Sequence, residues 1–249
     1  MIKLNKIYNE DCLEGMKNIP EKSVDMILCD LPYGTTACKW DTIIPFEPLW
    51  EQYERVVKDN GAIVLTASQP FTSALVMSNT KMFKYEWIWE KDQGTGHLNA
   101  KKIPLKSHEN IAIFYKKLPT YNPQFWYKKD AHKVKRVRPK MKAETVYGKN
   151  GTLDGYVADY DNRRYPLSTS LKFTGVKKTI HPTQKPVALF EYLIKTYTNE
   201  GETVLDNCIG SGTTAIAAIN TKRNFIGFEL DETYFNLANE RIEMHAKEE

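Results

Sequence analysis

Apolar and polar positions alternate along most of the chain in short runs that have either strand or helix periodicity. Four runs rich in apolar, β-branched or aromatic residues predict strands: Val24 to Cys29, Ala62 to Thr66, Tyr85 to Trp89 and Ile111 to Tyr115. Phe46 to Lys58 has apolar residues at helical spacing, and we expect this helix to stop at Asn60-Gly61. Pro70 to Ser78 predicts a short helix with proline in its first turn.

The same regular patterning returns in the last third of the chain. Helices and strands are predicted in alternation, in this order: Pro186 to Tyr197, Thr203 to Leu205, Thr213 to Asn220, Phe225 to Glu229 and Thr233 to Met244. Alternating strands and helices are typical of a parallel sheet with helices on its faces. We therefore expect an α/β core, in which Phe71, Trp87 and Trp89 are buried.

The segment from 118 to 180 shows no sustained apolar period and interrupts this pattern. Between residues 117 and 178 there are 15 Lys or Arg and five Asp or Glu, although the net charge of the whole chain is only +4. A basic segment on an otherwise acidic protein favours contact with a polyanion, while a solvated loop is the plainer interpretation.

Composition narrows the class of protein only a little. The first ten residues lack the apolar stretch of a secretion signal, and no apolar run approaches the roughly 18 residues of a membrane span. The four cysteines form no CxxC pair, so neither a zinc site nor a disulfide framework is indicated. These observations predict a cytoplasmic protein without a metal and without a membrane partner.

A glycine-rich turn lies between the predicted strand at 203–205 and the helix that follows it. Gly210 and Gly212 allow a tight turn and a close approach of a ligand to the free N–H groups of the helix. Glu229 ends the next strand, where an acidic side chain typically accepts ribose hydroxyls. The pattern indicates an adenosine-containing cofactor, but GSGTTA also fits the dinucleotide-binding fingerprint.

A second turn, Asp30-Leu31-Pro32-Tyr33, directly follows the first predicted strand. A carboxylate and a backbone carbonyl together can accept both hydrogens of an exocyclic amine, and Pro32 restricts Leu31 to extended conformations. Tyr33 offers an aromatic face on which a base can stack. An ordinary Asp-x-Pro turn with a surface tyrosine is the alternative interpretation.

Asp30-Leu31-Pro32-Tyr33 resembles the (D/N/S)PP(Y/F) motif of DNA amino-methyltransferases, which methylate adenine N6 or cytosine N4. Two further segments resemble the same family in the same order: His181 to Pro186 (HPTQKP), and VLDNCIGSGTT followed by RNFIGFELDETYFNLANERI. Because the catalytic motif precedes the cofactor glycines, this order matches the permuted β group. The resemblance covers about residues 1–116 and 180–245.

The resemblance implies a three-layer Rossmann-like methyltransferase fold with a mostly parallel, seven-stranded sheet. Residues 1–116 and 180–249 would form the catalytic core, and residues 117–179 the target-recognition insertion. Two positions depart from the family pattern: Leu31 stands where proline is usual, and Asp206-Asn207-Cys208 stands where DPF is usual. The loss of that phenylalanine makes Cys208 a weaker candidate than the glycines.

The resemblance also implies roles for particular residues. Asp30, Leu31, Pro32 and Tyr33 would hold a flipped target base, with Asp30 and the Leu31 carbonyl accepting hydrogen bonds from its amine. S-adenosylmethionine would be bound by these residues: Asp11, Cys12, Asp30, Thr183, Gln184, Lys185, Asp206, Cys208, Gly210, Ser211, Gly212, Thr213, Thr214 and Glu229. Glu229 is implied for the ribose, Asp11-Cys12 for the adenine, and Thr183 to Lys185 for the methionine carboxylate. His181 is either a positioning or a structural residue.

Duplex DNA is the implied substrate, with adenine N6 as the target, because aspartate at the first motif position is typical of adenine enzymes. Candidate phosphate contacts lie in the basic segment: Lys128, Lys129, Lys133, Lys135, Arg136, Arg138, Lys140 and Lys142. A homodimer and a cognate restriction endonuclease are further partners that the resemblance suggests.

Five points stay open at this level. Within the family, the target could be cytosine N4, and the nucleic acid could be RNA. A nicotinamide-dependent oxidoreductase would explain GxGxxA and Glu229, but not the Asp30 turn. A non-catalytic nucleic-acid-binding protein would explain the basic segment alone. Finally, the loop from Gly34 to Pro45 is either a lid over the base or a simple connector.

Overall fold

A computed structural model of the chain describes most of its residues. These are residues 2–36, 38, 41–127, 135–137, 141–145, 148–153, 157–159, 163–166, 170–176 and 184–248. The strands of this part, in chain order, are β1 (Lys6–Tyr8), β2 (Val24–Asp30), β3 (Val57–Ala67), β4 (Phe83–Thr95), β5 (Lys106–Phe114), β6 (Trp126–Tyr127), β7 (Lys135–Val137), β8 (Met141–Thr145), β9 (Gly148–Leu153), β10 (Val157–Asp159), β11 (Arg163–Arg164), β12 (Ser170–Lys172), β13 (Thr203–Asp206) and β14 (Asn224–Phe228). The α-helices are α1 (Cys12–Met16), α2 (Phe46–Val56), α3 (Phe71–Ser78), α4 (Val187–Tyr197), α5 (Thr213–Asn220) and α6 (Glu232–Glu248), and a 3-10 helix spans His97–Asn99.

Contacts divide the chain into two units, of which the larger comprises residues 1–122 and 169–249. Its sheet has the strand order β1-β14-β13-β2-β3-β5-β4-β12. All neighbouring strands run parallel except that β5 is antiparallel to β3 and to β4. The sheet is therefore mostly parallel, as the sequence predicts.

Helices cover both faces of this sheet because alternate residues of its strands point to opposite sides. In β2, Ile27 and Cys29 face a core that includes residues of α1, α2 and α3. Met26 and Leu28 face a second core, to which α4, α5 and α6 contribute. This three-layer α/β arrangement confirms the predicted Rossmann-like fold.

In the described part of the chain, the sheet of the larger unit has eight strands, one more than the seven that the family resemblance implied. The eighth strand, β12, pairs with β4 at the edge of the sheet and lies inside the segment that the sequence assigns to the insertion. Only Leu171 of its three residues is buried. So short a strand has no periodicity that a sequence pattern could reveal.

Asn60-Gly61 does not stop a helix, and this part of the prediction is wrong. Helix α2 ends at Val56, and the backbone turns at Val57 directly into β3, which contains Asn60 and Gly61. A Cβ atom on Gly61 would lie 2.7 Å from the carbonyl oxygen of Asp25. The glycine thus allows β3 to pass close to the backbone of β2. The buried pair Val56 and Val57 suits a strand as well as a helix.

The smaller unit comprises residues 123–168. Its described backbone forms three antiparallel pairs nested within one another: β8 with β9, β7 with β10, and β6 with β11. Strand pairing here was not predicted, because the segment lacks an apolar period. The predicted insertion, 117–179, extends beyond this unit at both ends. None of the helices in the described ranges is long and apolar enough to cross a membrane.

Candidate active site

A cavity of about 600 Å³ opens at the carboxyl ends of the parallel strands, within the larger unit. It lies beside β2 and β13, the neighbouring strands from which the chain continues to opposite sides of the sheet. Ligands of α/β proteins bind at such a switch point, and cavities of this size hold small molecules. Asp30, at the end of β2, and Asp206, at the end of β13, both line the cavity.

Asp30 is the centre of a hydrogen-bond network. The hydroxyl of Tyr33 donates to Asp30 Oδ1 at 2.7 Å, and the hydroxyl of Thr66, on β3, donates to the same oxygen. The ammonium of Lys185 donates to Asp30 Oδ2 at 2.5 Å. Asp30 therefore presents an oriented carboxylate to the cavity. Thr66 reaches Asp30 because β2 and β3 pair with these two residues in register.

Leu31, Pro32 and Tyr33 complete this wall of the cavity. Leu31 is buried, and the ring of Tyr33 stacks on Phe71 with 5.1 Å between ring centroids. Phe71 was expected in the core, and its 3% exposure confirms this, as does that of Trp87 and Trp89. Phe71 also supports Tyr33 from α3, a contact that the sequence pattern did not indicate.

Lys185 lies between two carboxylates rather than at an open surface. Its side chain is only 6% exposed. Its Nζ forms an ion pair with Asp30 Oδ2 and also lies 3.5 Å from Glu109 Oε2. Burial lowers the pKa of Lys185, but Asp30 and Glu109 outweigh it, so the net shift of this pKa is upward. Lys185 is thus a buried cation. The resemblance implied it for the methionine carboxylate; its ammonium here contacts Asp30.

Glu109, on β5, is a site residue that sequence reasoning missed. It also forms an ion pair with Lys91 of β4. Burial raises the pKa of Glu109, but the charges of Lys185 and Lys91 outweigh it and hold this pKa below its usual value. The one signal in the sequence is an acidic residue next to the apolar run of β5, which says nothing about its partners.

The glycine turn forms the opposite part of the cavity. Gly210, Ser211, Thr213 and Thr214 line it, whereas Gly212 does not. Gly210 and Gly212 both have positive φ, at 52° and 79°, which glycine adopts without strain. Gly212 directly precedes α5, so the amino end of this helix lies at the cavity.

Glu229 follows β14 and lines the same cavity. The backbone amide of Gly210 donates to Glu229 Oε2 at 2.8 Å, and that of Asp231 donates to Oε1 at 2.9 Å. Burial nevertheless raises the pKa of Glu229. The carboxylate is held in place by the glycine turn, and each oxygen retains acceptor capacity for a ligand hydroxyl.

Asp206 is the most deeply buried acid of the cavity. Thr214 donates its hydroxyl to Asp206 Oδ2, and the backbone amide of Cys208 donates to Oδ1 at 3.0 Å. Burial raises the pKa of Asp206 to about 7. Such a carboxyl group would become more acidic beside a bound cation.

Three of the four cysteines meet near the end of β13, although they are far apart in sequence. The amide of Asn207 lies 3.6 Å from Cys12 Sγ and 3.5 Å from Cys208 Sγ. Burial raises the pKa of the Cys29 thiol to about 12, so this thiol is neutral and packs as a small apolar group. Cys12 and Cys208 line the cavity.

No group of three His, Cys, Asp or Glu side chains that could hold a metal occurs among the described residues.

Asp11 and Asp41 organise two loops at the rim of the cavity. Asp11 caps α1, since its Oδ1 accepts hydrogen bonds from the backbone amides of Leu13 and Glu14. Asp41, which the sequence did not indicate as a site residue, accepts hydrogen bonds from the backbone amides of residues 34, 35 and 36. The loop after Tyr33 is therefore folded back on itself along the cavity wall.

Several candidate residues lie outside what the structure describes. They are His181, Thr183, Lys128, Lys129, Lys133, Arg138 and Lys140, while only the backbone is described for Lys135, Arg136 and Lys142. Gln184 is described and lines the cavity. Within the part of the chain that the structure describes, every residue that lines the cavity belongs to the larger unit.

The fold and the cavity define an α/β protein with an adenosine-type cofactor turn facing an oriented carboxylate. Residues 24–240 match the family N6_N4_Mtase, which is described as DNA methylase. The type II methyltransferase M1.MboII of Moraxella bovis is 30% identical to this chain over 96% of each protein. The DNA adenine methyltransferase YhdJ of Escherichia coli (strain K12) is 30% identical, over 96% of this chain and 82% of its own length.

Solved structures agree with these relatives. A crystal structure of M1.HpyAVI in complex with SAM is 27% identical, with a TM-score of 0.62, and the match covers 95% of this chain and 98% of that one. The cytosine-N4-specific PvuII DNA methyltransferase is 16% identical with a TM-score of 0.67 over 95% of this chain and 85% of that one, a likeness of fold alone. The chain belongs to the N6/N4 DNA methyltransferase family, whose methyl donor is S-adenosylmethionine.

Proposed function

We propose that this chain transfers a methyl group from S-adenosylmethionine to the exocyclic N6 of an adenine that is flipped out of duplex DNA. The observation that carries the proposal is the oriented carboxylate of Asp30, which shares one cavity with the glycine turn and Glu229. Aspartate at this motif position is typical of adenine enzymes, and the relative YhdJ is named an adenine methyltransferase.

The residues of the cavity fit the proposed cofactor. Glu229 has two oriented carboxylate oxygens for ribose hydroxyls, and the turn at 210–214 brings backbone close to the ligand. Asp206, whose pKa is raised by burial to about 7, supplies negative charge near a cationic ligand. Asp11, Cys12 and Gln184 complete the proposed pocket. When bound, S-adenosylmethionine supplies an electrophilic methyl group, and the carbon–sulfur electrons stay on the sulfur.

Asp30 and the Leu31 carbonyl would each accept one N–H of the target amine. These hydrogen bonds disfavour conjugation of the nitrogen lone pair with the ring, so that the lone pair forms the new nitrogen–carbon bond. The nitrogen then releases one proton to solvent water and recovers neutrality. Tyr33, supported by Phe71, would stack on the base. Positioning supplies most of the rate in this scheme, and no general base with a strongly shifted pKa is required.

The segment 117–179 is proposed to recognise the DNA sequence, with the lysines and arginines named above on phosphates. Its charge, 15 basic against five acidic residues between 117 and 178, supports this role. A homodimer, a cognate restriction endonuclease and a cytoplasmic location remain predictions from the family resemblance.

The test combines product identification with a variant of Asp30. DNA from a host that expresses the chain is sequenced with modified bases assigned, and its nucleosides are analysed by mass spectrometry. N6-methyl-2′-deoxyadenosine is expected; N4-methyl-2′-deoxycytidine would overturn the assignment of the base. Asp30→Ala should lower the single-turnover rate by on the order of 1,000-fold or more, because positioning is lost.

Calorimetry should find S-adenosylmethionine affinity largely unchanged in Asp30→Ala. Asp59→Ala is the matched control, since this exposed carboxylate pairs with Lys22 and Lys117 away from the cavity. Near-normal turnover of Asp30→Ala would contradict the assignment of Asp30.

A further inference from the structure

The carboxylate of Asp30 is nearly saturated before any substrate arrives. An ionised carboxylate has about four acceptor positions, and Thr66, Tyr33 and Lys185 occupy three of those on Asp30. Lys185 also cancels the negative charge of Asp30. The target amine needs that charge, because positive charge arrives on its nitrogen as the new bond forms.

Lys185 cannot simply move into water. Its side chain is 6% exposed, and a buried ammonium must keep an anionic partner. Among the groups that face it are Asp30 of β2, Glu109 of β5 and the ring of Tyr33, whose centroid lies 5.7 Å from Lys185 Nζ. Glu109 is thus a second anion within reach of Lys185.

One carboxylate oxygen of Glu109, Oε2, can still accept a hydrogen bond. Lys91 occupies Oε1, whereas Oε2 is buried, lies 3.5 Å from Lys185 Nζ and accepts no hydrogen bond from the described residues. A charge-assisted hydrogen bond has a length of about 2.8 Å, so a displacement of less than about 1 Å would convert this contact into one.

We propose that Glu109 is a positioning residue that takes the ammonium of Lys185 from Asp30 when the target amine enters. The exchange frees Asp30 Oδ2 as an acceptor and restores its negative charge at the amine. Lys185 stays protonated throughout, and no covalent bond changes. The inference rests on the proposed function, in which Asp30 accepts the amine.

The charges around Glu109 keep its carboxyl group ionised. Lys185 and Lys91 hold the pKa of Glu109 below its usual value, so a carboxylate is present to receive the ammonium, while Lys91 and Lys106, which also face Glu109, repel that ammonium and oppose the exchange in the empty site. The resting contact with Asp30 keeps the empty site neutral, which avoids a lone buried charge. In this proposal the ammonium of Lys185 therefore contacts Asp30 when the site is empty and Glu109 when the target amine is bound.

Glu109→Gln is the first test, because glutamine keeps the shape but removes the charge. We expect the single-turnover rate with target DNA to fall by about 10- to 100-fold, with little change in the KM for DNA. S-adenosylmethionine affinity by calorimetry should stay close to that of the wild type, whereas the melting temperature should fall, because Lys91 loses the carboxylate with which it pairs; the rate is therefore measured well below that temperature. Glu90→Gln is the matched control: this carboxylate lies on the neighbouring strand, pairs with Lys172, and should leave the rate unchanged.

A double-mutant cycle distinguishes the exchange from a merely structural role. In a Lys185→Met background no ammonium has to move, so Glu109→Gln should then change the rate by less than about twofold. A Glu109→Gln loss of the same size in both backgrounds would overturn the proposal, as would a wild-type rate of Glu109→Gln itself.

A structural readout covers the case in which Lys185→Met is inactive. In a crystal structure with S-adenosylhomocysteine and a duplex that carries the target site, Lys185 Nζ should hydrogen-bond Glu109 Oε2 and not Asp30; an ammonium still on Asp30 would overturn the exchange. Asp30→Ala separates the two hypotheses: if its turnover is near normal, the proposed function fails, and if it is inactive while Glu109 and Lys185 act independently, only the exchange fails.

Discussion

Asp206 illustrates how one buried side chain can make stability depend on pH. Its carboxyl group is 2% exposed and accepts hydrogen bonds from Thr214 and from the backbone of Cys208. These bonds favour the charged form, but burial outweighs them and raises the pKa to about 7. Between the ordinary aspartate pKa and this value, the folded state holds a proton that the unfolded chain has released.

The free energy of unfolding should therefore fall as the pH rises from about 4 to about 7, with a slope from Asp206 of at most about 1.4 kcal/mol per pH unit. Asp206→Asn has no carboxyl group to titrate at this position, so its free energy of unfolding does not fall in this way. The free energy of unfolding of the variant minus that of the wild type should therefore increase across that window and stay constant above it. Urea unfolding at several pH values from 4.5 to 8 measures the difference.

The control for this prediction is Asp59→Asn. Asp59 is exposed, and hydrogen bonds from Lys117 and Lys22 lower its pKa, so its contribution is lost only on acidification below the usual aspartate range. Its difference from the wild type should be flat between pH 5 and 8. An equally flat profile for Asp206→Asn would contradict the raised pKa of Asp206.

At the scale of elements, the turn between β13 and α5 depends on backbone that only glycine adopts easily. Gly212 has φ of 79°, and a Cβ atom there would lie 3.3 Å from the Cβ of Ala238 on α6. Arg241 of the same helix donates to the carbonyl of Ser211 at 2.9 Å. Helix α6 therefore supports the turn from behind while Ser211 lines the cavity.

Gly212→Ala should destabilise the protein by about 1–2 kcal/mol, because the left-handed conformation is strained for alanine. It should also weaken S-adenosylmethionine binding, since the turn must shift away from α6. Gly201→Ala is the matched control: Gly201 has φ of 82°, no atom lies within 4 Å of its added Cβ, and it does not line the cavity.

Urea unfolding and calorimetry compare the two variants. Both should lose stability, but only Gly212→Ala should lose cofactor affinity. Equal cofactor affinity in both would mean that the turn does not contact the ligand.

At the scale of the whole molecule, the residues assigned to methyl transfer and those assigned to DNA contact fall into different parts of the chain. The described residues that line the cavity all belong to the larger unit, whereas the candidate phosphate contacts from Lys128 to Lys142 belong to the smaller one. Cofactor binding and nonspecific DNA binding should therefore respond to different substitutions.

Replacing Lys128, Lys129, Lys133 and Lys140 by glutamine should reduce the salt dependence of duplex binding. Each lost phosphate contact lowers the slope of log affinity against log salt concentration by about 0.9. S-adenosylmethionine affinity should not change. Fluorescence anisotropy with a labelled duplex at several salt concentrations measures the slope.

Four exposed lysines of the larger unit serve as a charge-matched control: Lys17, Lys22, Lys195 and Lys222. Their replacement by glutamine changes the net charge equally but should leave the slope nearly unaltered. If both sets reduce it to the same extent, the smaller unit makes no particular contribution to DNA binding.

The sequence by itself determined the features that depend on neighbouring residues. The apolar runs predicted the parallel strands, because alternation and turn residues are local properties. Asp30 and the turn with Gly210 could each be placed directly after a predicted strand, and the family resemblance assigned them to one site. The family resemblance then added the reaction and the cofactor.

Only the tertiary structure decided which side chains, distant in sequence, form ion pairs with one another. Lys185 and Glu109 lie 155 and 79 positions from Asp30, and no periodicity links them to it. Gly61 and β12 were missed for the same reason, since a close strand approach and an edge pairing depend on a partner strand. Local patterns specify the elements, but packing determines which buried charges must neutralise one another.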